Sequence, residues 1–330
     1  MTSVLPMKPT ASATPRIPRN LLAIEDLDAA ALQSLLALGI SIKADPLAHR
    51  QALEGLSVAL IFEKPSLRTR ASLEVGLHRL GAQAVVFDQQ DSPLGVRESI
   101  HDLGRNLERW FHAVAARVHR HEVLEALSES CDVPVLNTLS DLHHPCQCLA
   151  DLMTMVEHGV DPGRARVGFV GDGNNVCRSL LQGVITLGGE IVVVSPPEYG
   201  PSETDVARAE EIAAGSGGRL TITDDPDALA GTDAVYTDAW ISMGETDSDE
   251  KRAALERYRV DATLMSIAGP ESLFMHCLPA HRGEEVVDEV IDGPRSVVYD
   301  QAENRLHAQN AWFIAALGGS SSLLQPVQAP

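Results

Sequence analysis

Short apolar runs rich in β-branched residues recur along the chain, separated by stretches of helical periodicity. They are Val58–Phe62, Ala84–Phe87, Val114–Ala116, Val133–Leu136, Arg166–Val170, Glu190–Val194, Ala234–Tyr236, Leu273–His276 and Ser296–Tyr299. Buried strands alternating with helices imply mostly parallel sheets covered on both faces. A chain of 330 residues, 44% hydrophobic, suits two such domains better than one. The helical pattern Cys146–His158 runs into Gly159 and Asp161-Pro162-Gly163, which places the boundary there. The expected plan is a tail over 1–19, a first domain over 20–158 and a second over 159–302. A final helix, Glu303–Leu317, within 303–330, returns to the first domain. The expected fold class is α/β: two doubly wound parallel-sheet domains joined by bridging helices. In open parallel sheets ligands bind beyond the C-terminal strand ends, so the site is expected in the cleft between the domains.

The formal net charge is −20, which argues against nucleic acid or an anionic membrane as partner. Lys8, Lys43, Lys64 and Lys251 are the only lysines. An anion site in such a protein must therefore be built from arginine. No apolar run reaches the length of a membrane span. Residues 1–20 carry Pro6, Pro9, Pro15 and Pro18 without the apolar core of a signal peptide. Five scattered cysteines, Cys131, Cys146, Cys148, Cys177 and Cys277, point to a reduced, cytoplasmic setting. Cys146 and Cys148 lack zinc-ribbon spacing. Cys131, Cys148 and Cys177 read as small buried residues.

The polar motifs fall repeatedly after the strands. Ser66-Leu67-Arg68-Thr69-Arg70 follows Val58–Phe62 and opens a helical pattern. A strand feeding a helix start collects free N–H groups and a positive dipole end, and with Ser66, Arg68 and Thr69 this becomes a phosphate-like anion site. Arg68 and Arg70 cannot share a helix face; one clamps the anion and the other braces the structure. Arg117 follows Val114–Ala116. Gly171-Asp172-Gly173-Asn174-Asn175-Val176 resembles a dinucleotide turn, but Val176 replaces the third glycine, and the next strand ends in Ser195-Pro196 rather than an acid. The glycines more simply permit a tight turn, and an asparagine there caps the helix or binds a carboxylate. His144-Pro145-Cys146-Gln147 opens a helix with proline in its first turn; His144 beside Gln147 is placed to donate to an oxygen, while His143 is structural or exposed. Asp238, ahead of Ser242-Met243-Gly244, is either an Asx-type turn or an acid for an ammonium group under a closing loop. Cys277 ends a buried strand without a histidine–acid arrangement to activate it. Leu278-Pro279 is read as a cis bond that turns carbonyls toward the ligand. Arg305 begins the last helix.

In this order the motifs resemble the transcarbamoylase superfamily, and within it the ornithine carbamoyltransferase family, over about Asn20 to Gly318. The resemblance implies transfer of a carbamoyl group from carbamoyl phosphate to the side-chain amine of L-ornithine, giving L-citrulline and phosphate for arginine biosynthesis. It implies no metal or organic cofactor, and a homotrimer. Ser66, Leu67, Arg68 and Thr69 would hold the phosphate; Arg117, His144 and Gln147 would take the carbamoyl oxygen and amide. Cys277 and Leu278 would offer carbonyls to the carbamoyl NH₂, and Arg305 would complete that pocket. Asn175, Asp238, Ser242 and Met243 would bind ornithine, with Asp238 and Cys277 flanking the attacking amine. The catalytic set is then Arg117, His144, Asp238 and Cys277.

Three residues depart from the pattern. Leu67 stands where the family usually has a small hydroxyl residue, a form found in its acylated-ornithine branch; lysine, acylated ornithine or a specialised-metabolite amine is thus the second acceptor reading. Pro93 falls where many relatives carry a polar residue reaching the neighbouring subunit. Arg178 follows the Asn174-Asn175 turn, where a smaller or neutral residue is common.

Overall fold

The computed structural model describes residues 16–241 and 248–318. Residues 1–15 of the expected tail, the end of the chain after Gly318, and Ser242 and Met243 lie outside the described residues. The described residues pack into two compact units, one holding 16–141 together with 305–318, the other Leu142–Asn304.

The first unit carries β1 (Ser57–Phe62), β2 (Gln83–Asp88), β3 (Ala113–Arg117) and β4 (Val135–Leu139), with helices α1 (Ala29–Ala44), α2 (Leu67–Arg79), α3 (Ile100–Trp110) and α4 (His121–Ser130). Its sheet is parallel throughout, in the order β2-β1-β3-β4. β1 and β3 are buried because both faces are covered, and their near-continuous apolar runs reflect that. The chain leaves β1 for β2 on one side and reaches β3 on the other, so the ends of β1 and β3 form the point where the winding reverses. Phe62 and Arg117 pair there.

The second unit carries α5 (Pro145–Glu157), β5 (Arg166–Val170), α6 (Asn175–Leu187), β6 (Glu190–Val194), α7 (Glu203–Ser216), β7 (Arg219–Thr223) and β8 (Ala234–Thr237). α8 (Asp249–Leu255), α9 (Ala262–Ala268), β9 (Leu273–Met275), α10 (Asp288–Ile291) and the start of α11 (Val298–Leu317) follow. Its sheet runs β7-β6-β5-β8-β9, again all parallel. Here the winding reverses between β5 and β8. The two-sheet α/β architecture expected from the apolar runs is therefore present.

Several elements differ from expectation. β4 lies at Val135–Leu139, two residues later than the apolar run suggests, and takes in Asn137. β7 was not foreseen because it is an exposed edge strand of mixed polarity. Ser296–Tyr299 is not a strand. Ser296 makes a single bridge to Phe274, and Val298 already opens α11. Buried contacts there outweigh the β-branched preference of Val297 and Val298. Arg305 consequently sits two turns inside α11 rather than at its start.

From Arg305 onward α11 lies against α2. Asn310 Nδ2 donates to Gly76 O at 3.2 Å, and Ser72 Oγ donates to Gln309 Oε1 at 3.1 Å. A Cβ on Gly76 would meet Asn310 Oδ1 at 2.5 Å, so a larger residue there would displace the Asn310 side chain.

Candidate active site

In the first unit, Ser66 is the N-cap of α2, and its hydroxyl accepts from Thr69 N. This leaves the first-turn N–H groups at the end of β1, as an anion site needs. Leu67 is 81% exposed, so only its backbone belongs to the turn. Arg70 Nε pairs with Glu74 Oε1 at 2.8 Å, which makes it the bracing arginine. Arg68 has no carboxylate partner among the described residues. Thr69 is fully buried, and its hydroxyl accepts from Arg305 Nη2 at 2.8 Å. Two turns into α11, Arg305 thus reaches the start of α2. Arg117 ends β3 at a register shift between Ala116 and Arg117; such bulges re-aim a side chain. Ser66, Arg68, Thr69, Arg117 and Arg305 are thereby gathered on one unit. A pocket of about 160 Å³ beside them is lined by Phe62, Pro65, Ser66, Leu67, Arg70, Val86, Asp88 and Gln90, without Arg68, Arg117 or Arg305.

Two neighbours of this turn were missed in the sequence. Glu63, 3% exposed, accepts from Leu94 N and His119 N at 2.7 Å each, fixing the loop that carries Pro93. Lys64 is also buried, and burial, then the Arg117 charge, hold its ammonium below the ordinary lysine range. The available signal was that Lys64 is one of only four lysines.

The second unit collects the remaining described candidates. His144 is the buried N-cap of α5, and its backbone N–H donates to Ser179 Oγ at 2.8 Å. His143 is buried as well. One turn on, Gln147 Nε2 donates to Asp151 Oδ1 at 2.8 Å, while its Oε1 has no hydrogen-bond partner among the described residues. The glycine turn after β5 is a tight turn and not a nucleotide cradle. Gly171 has φ +115°, and a Cβ on Gly173 would lie 2.4 Å from the backbone of Gly200 and Pro201. The chain itself fills the space a pyrophosphate would need.

Asn174 caps α6, accepting from Val176 N and Cys177 N, and its Nδ2 donates to Asp238 Oδ2 at 2.8 Å. Asn175, the first residue of α6, is half-buried. Arg178 pairs with Asp205, with Nε at 2.5 Å, and so braces α6 against α7. Lys251 at the start of α8 pairs with Asp172 at 3.0 Å, both nearly buried. Asp238 follows β8 and receives the Cys277 thiol on Oδ1 at 2.9 Å. Its carboxylate is thus held from two sides at the point where the winding reverses.

Leu278-Pro279 is cis, as read from the sequence, and Leu278 has φ +59°. A leucine in the left-handed region costs about 1–2 kcal/mol, so its surroundings must hold it. Leu278 N donates to His276 Nδ1 at 2.9 Å, and His276 Nε2 meets Glu285 Oε1 at 3.0 Å, both side chains fully buried. Asp238, His276 and Cys277 bring ligand-type atoms within 4.8 Å of one another, but both nitrogens of His276 are already engaged. In the similar group His281, Glu284 and Glu285, Glu284 is paired with Arg252 and Glu285 with His276.

Comparison with known proteins shows the family. Residues 19–157 match the model of the aspartate/ornithine carbamoyltransferase carbamoyl-P binding domain, and residues 164–316 that of the Asp/Orn binding domain. The chain belongs to the aspartate/ornithine carbamoyltransferase family. It is 46% identical over 297 residues to the ornithine carbamoyltransferase of Shewanella oneidensis, spanning 90% of this chain and 98% of the relative. It is 45% identical over 308 residues to the anabolic ornithine carbamoyltransferase of Pyrococcus furiosus, spanning 91% and 97%. The solved structure of the Pyrococcus furiosus enzyme superposes with a TM-score of 0.88 at 43% identity, over 94% of this chain and all of that one. No described helix of this carbamoyltransferase is long and apolar enough to cross a membrane.

Proposed function

We propose that the protein transfers the carbamoyl group of carbamoyl phosphate to the side-chain amine of L-ornithine, yielding L-citrulline and phosphate in arginine biosynthesis. The observation that carries the reading is the anion turn at Ser66–Thr69, where Arg70 is committed to Glu74 and Arg68 has no carboxylate partner among the described residues. Ser66, Leu67, Arg68 and Thr69 hold the phosphate, with backbone N–H groups doing the part Leu67 can do. Arg117, Arg305, His144 and Gln147 serve the carbamoyl phosphate, and the carbonyls of Cys277 and Leu278 accept from its NH₂. Asn175, Asp238, Ser242 and Met243 hold ornithine.

The amine attacks the carbamoyl carbon, charge builds on its oxygen, and phosphate leaves. Arg117 and His144 stabilise that oxygen, and removing one such donor costs about 3 kcal/mol. The attacking amine must be neutral, although a lysine-like amine has a pKa of about 10.4 in water. Asp238 orients it next to the Cys277 thiol, and exclusion of water favours the neutral form. Holding the two substrates in line supplies much of the remaining acceleration.

The resemblance implies a homotrimer. β2, at the edge of its sheet, leaves Val86 half-buried near the exposed Leu67, consistent with an apolar surface that another subunit covers. Five free cysteines fit a cytoplasmic location. The deciding experiment offers carbamoyl phosphate with ornithine, lysine, N-acetylornithine and other amines, following phosphate and ureido product together. Turnover is expected with ornithine. Clear turnover of another amine without ornithine turnover overturns the assignment.

A further inference from the structure

We infer that Asp151 and Gln301 are positioning residues that set the acceptors for the two N–H bonds of the carbamoyl NH₂ in one fixed arrangement. The inference rests on the proposed function and names what orients that part of its site. Asp151 is fully buried on α5, one turn after Gln147. Its Oδ1 receives Gln147 Nε2 at 2.8 Å and Gln301 Nε2 at 2.8 Å. Because Oδ1 accepts from both side-chain amides, it fixes the rotation of each. Gln147 must turn its NH₂ inward to Asp151, which leaves Oε1 as the presented atom. Gln301 must likewise turn its oxygen away, and that oxygen receives the backbone N–H of His276 at 2.9 Å.

The bridge therefore runs from Gln147 through Asp151 and Gln301 to the backbone just before Cys277. From there His276 continues it. His276 Nδ1 accepts from Leu278 N, so the ring proton lies on Nε2 and faces Glu285. A side-chain acceptor on α5 and the carbonyls of Cys277 and Leu278 are thus registered by one buried chain of hydrogen bonds. Buried side-chain networks of this kind rigidify the groups they join, and positioning of that sort matters for a group that must present one trigonal carbon to an amine.

Inorganic phosphate has no carbamoyl NH₂ and serves as the internal control. Calorimetry with carbamoyl phosphate and with inorganic phosphate, on full-length protein, gives the ratio of the two affinities. Gln301→Met, of similar volume, is expected to weaken carbamoyl phosphate at least tenfold while phosphate stays within twofold. Gln301→Asn, equally polar but one methylene too short to bridge, gives the same test where the Met variant does not fold. Asp151→Asn keeps an amide oxygen to accept from both glutamines and is expected to retain a ratio closer to wild type than Gln301→Met. The inference is overturned if the Gln301 variants keep the wild-type ratio within twofold. It is equally overturned if both ligands weaken in parallel with a lower melting temperature, which is the result of a merely structural role. A wild-type protein that makes no ureido product from any amine overturns the proposed function instead, and the inference falls with it.

Discussion

Arg68 and Arg70 are two residues apart on the same helix, and the structure gives them opposite fates. Arg70 is half-exposed and spends its guanidinium on Glu74, an i,i+4 pair. In water such a pair adds about 0.3–0.5 kcal/mol to the helix. Arg70→Ala should therefore cost a fraction of a kcal/mol in stability and leave carbamoyl-phosphate affinity within about twofold. Arg68 has no carboxylate to strand when it is removed, so its truncation exposes only the loss of the anion contact. Hydrogen bonds to charged groups are worth about 1.5–3 kcal/mol each. Taking about 3 kcal/mol for the guanidinium as a whole, Arg68→Ala should raise the Kd for carbamoyl phosphate about 150-fold. The same variant should lose inorganic phosphate in parallel, since the proposed contact is to the phosphoryl group. Calorimetry at constant ionic strength, with melting temperatures as control, measures both. Equal losses for Arg68→Ala and Arg70→Ala, or an Arg68→Ala affinity within threefold of wild type, would refute the division of labour.

Two further predictions follow from the cysteines. Cys131, Cys146, Cys148 and Cys177 are buried and Cys277 is half-buried beside Asp238, so a small thiol reagent should label one site in the native protein and five in denaturant. Labelling at Cys277 should block ornithine turnover while leaving phosphate binding intact; rapid native labelling of two or more sites would contradict this. Burial pushes the Cys148 and Cys177 thiols well above their ordinary value of 9.0. Between that value and the raised one the unfolded chain loses these protons and the folded chain keeps them. Stability present below pH 9 should thus decline as pH rises further, by up to about 1.4 kcal/mol per pH unit for each thiol. Denaturant titrations from pH 8 to 10.5 should show a shallower decline for Cys148→Ala; an unchanged slope would count against the linkage.

The strands were legible because parallel strands covered on both faces are nearly pure apolar runs, as in Val58–Phe62 and Glu190–Val194. Their ends were legible for the same reason, which is how Arg117, Asn175, Asp238 and Cys277 could be placed in candidate sites. What the pattern hid was of two kinds. β7 lies at an exposed edge and carries little apolar signal, and Val297-Val298 carries a strand signal that packing overrides. The second kind is polar and long-range. Asp151 and Gln301 meet across 150 positions, and His276 is steadied by Glu285. Nothing in a buried helical glutamine announces its partner, because periodicity reports which face is inside and not what the polar atoms on that face reach.

Asn174 ties two motifs to one side chain. One amide closes the start of α6 and steadies Asp238 at the end of β8. Aspartate at 174 would keep the cap but set a second negative charge against Asp238. Serine would cap the helix without the reach or the donor to touch Asp238. Loss of the cap alone costs about 1 kcal/mol, and loss of the brace frees the Asp238 carboxylate on one side. Positions 174 and 238 are therefore expected to drift as a pair or not at all. A recombination event that joined a foreign β5–α6 segment to this β8 would carry that constraint across the junction.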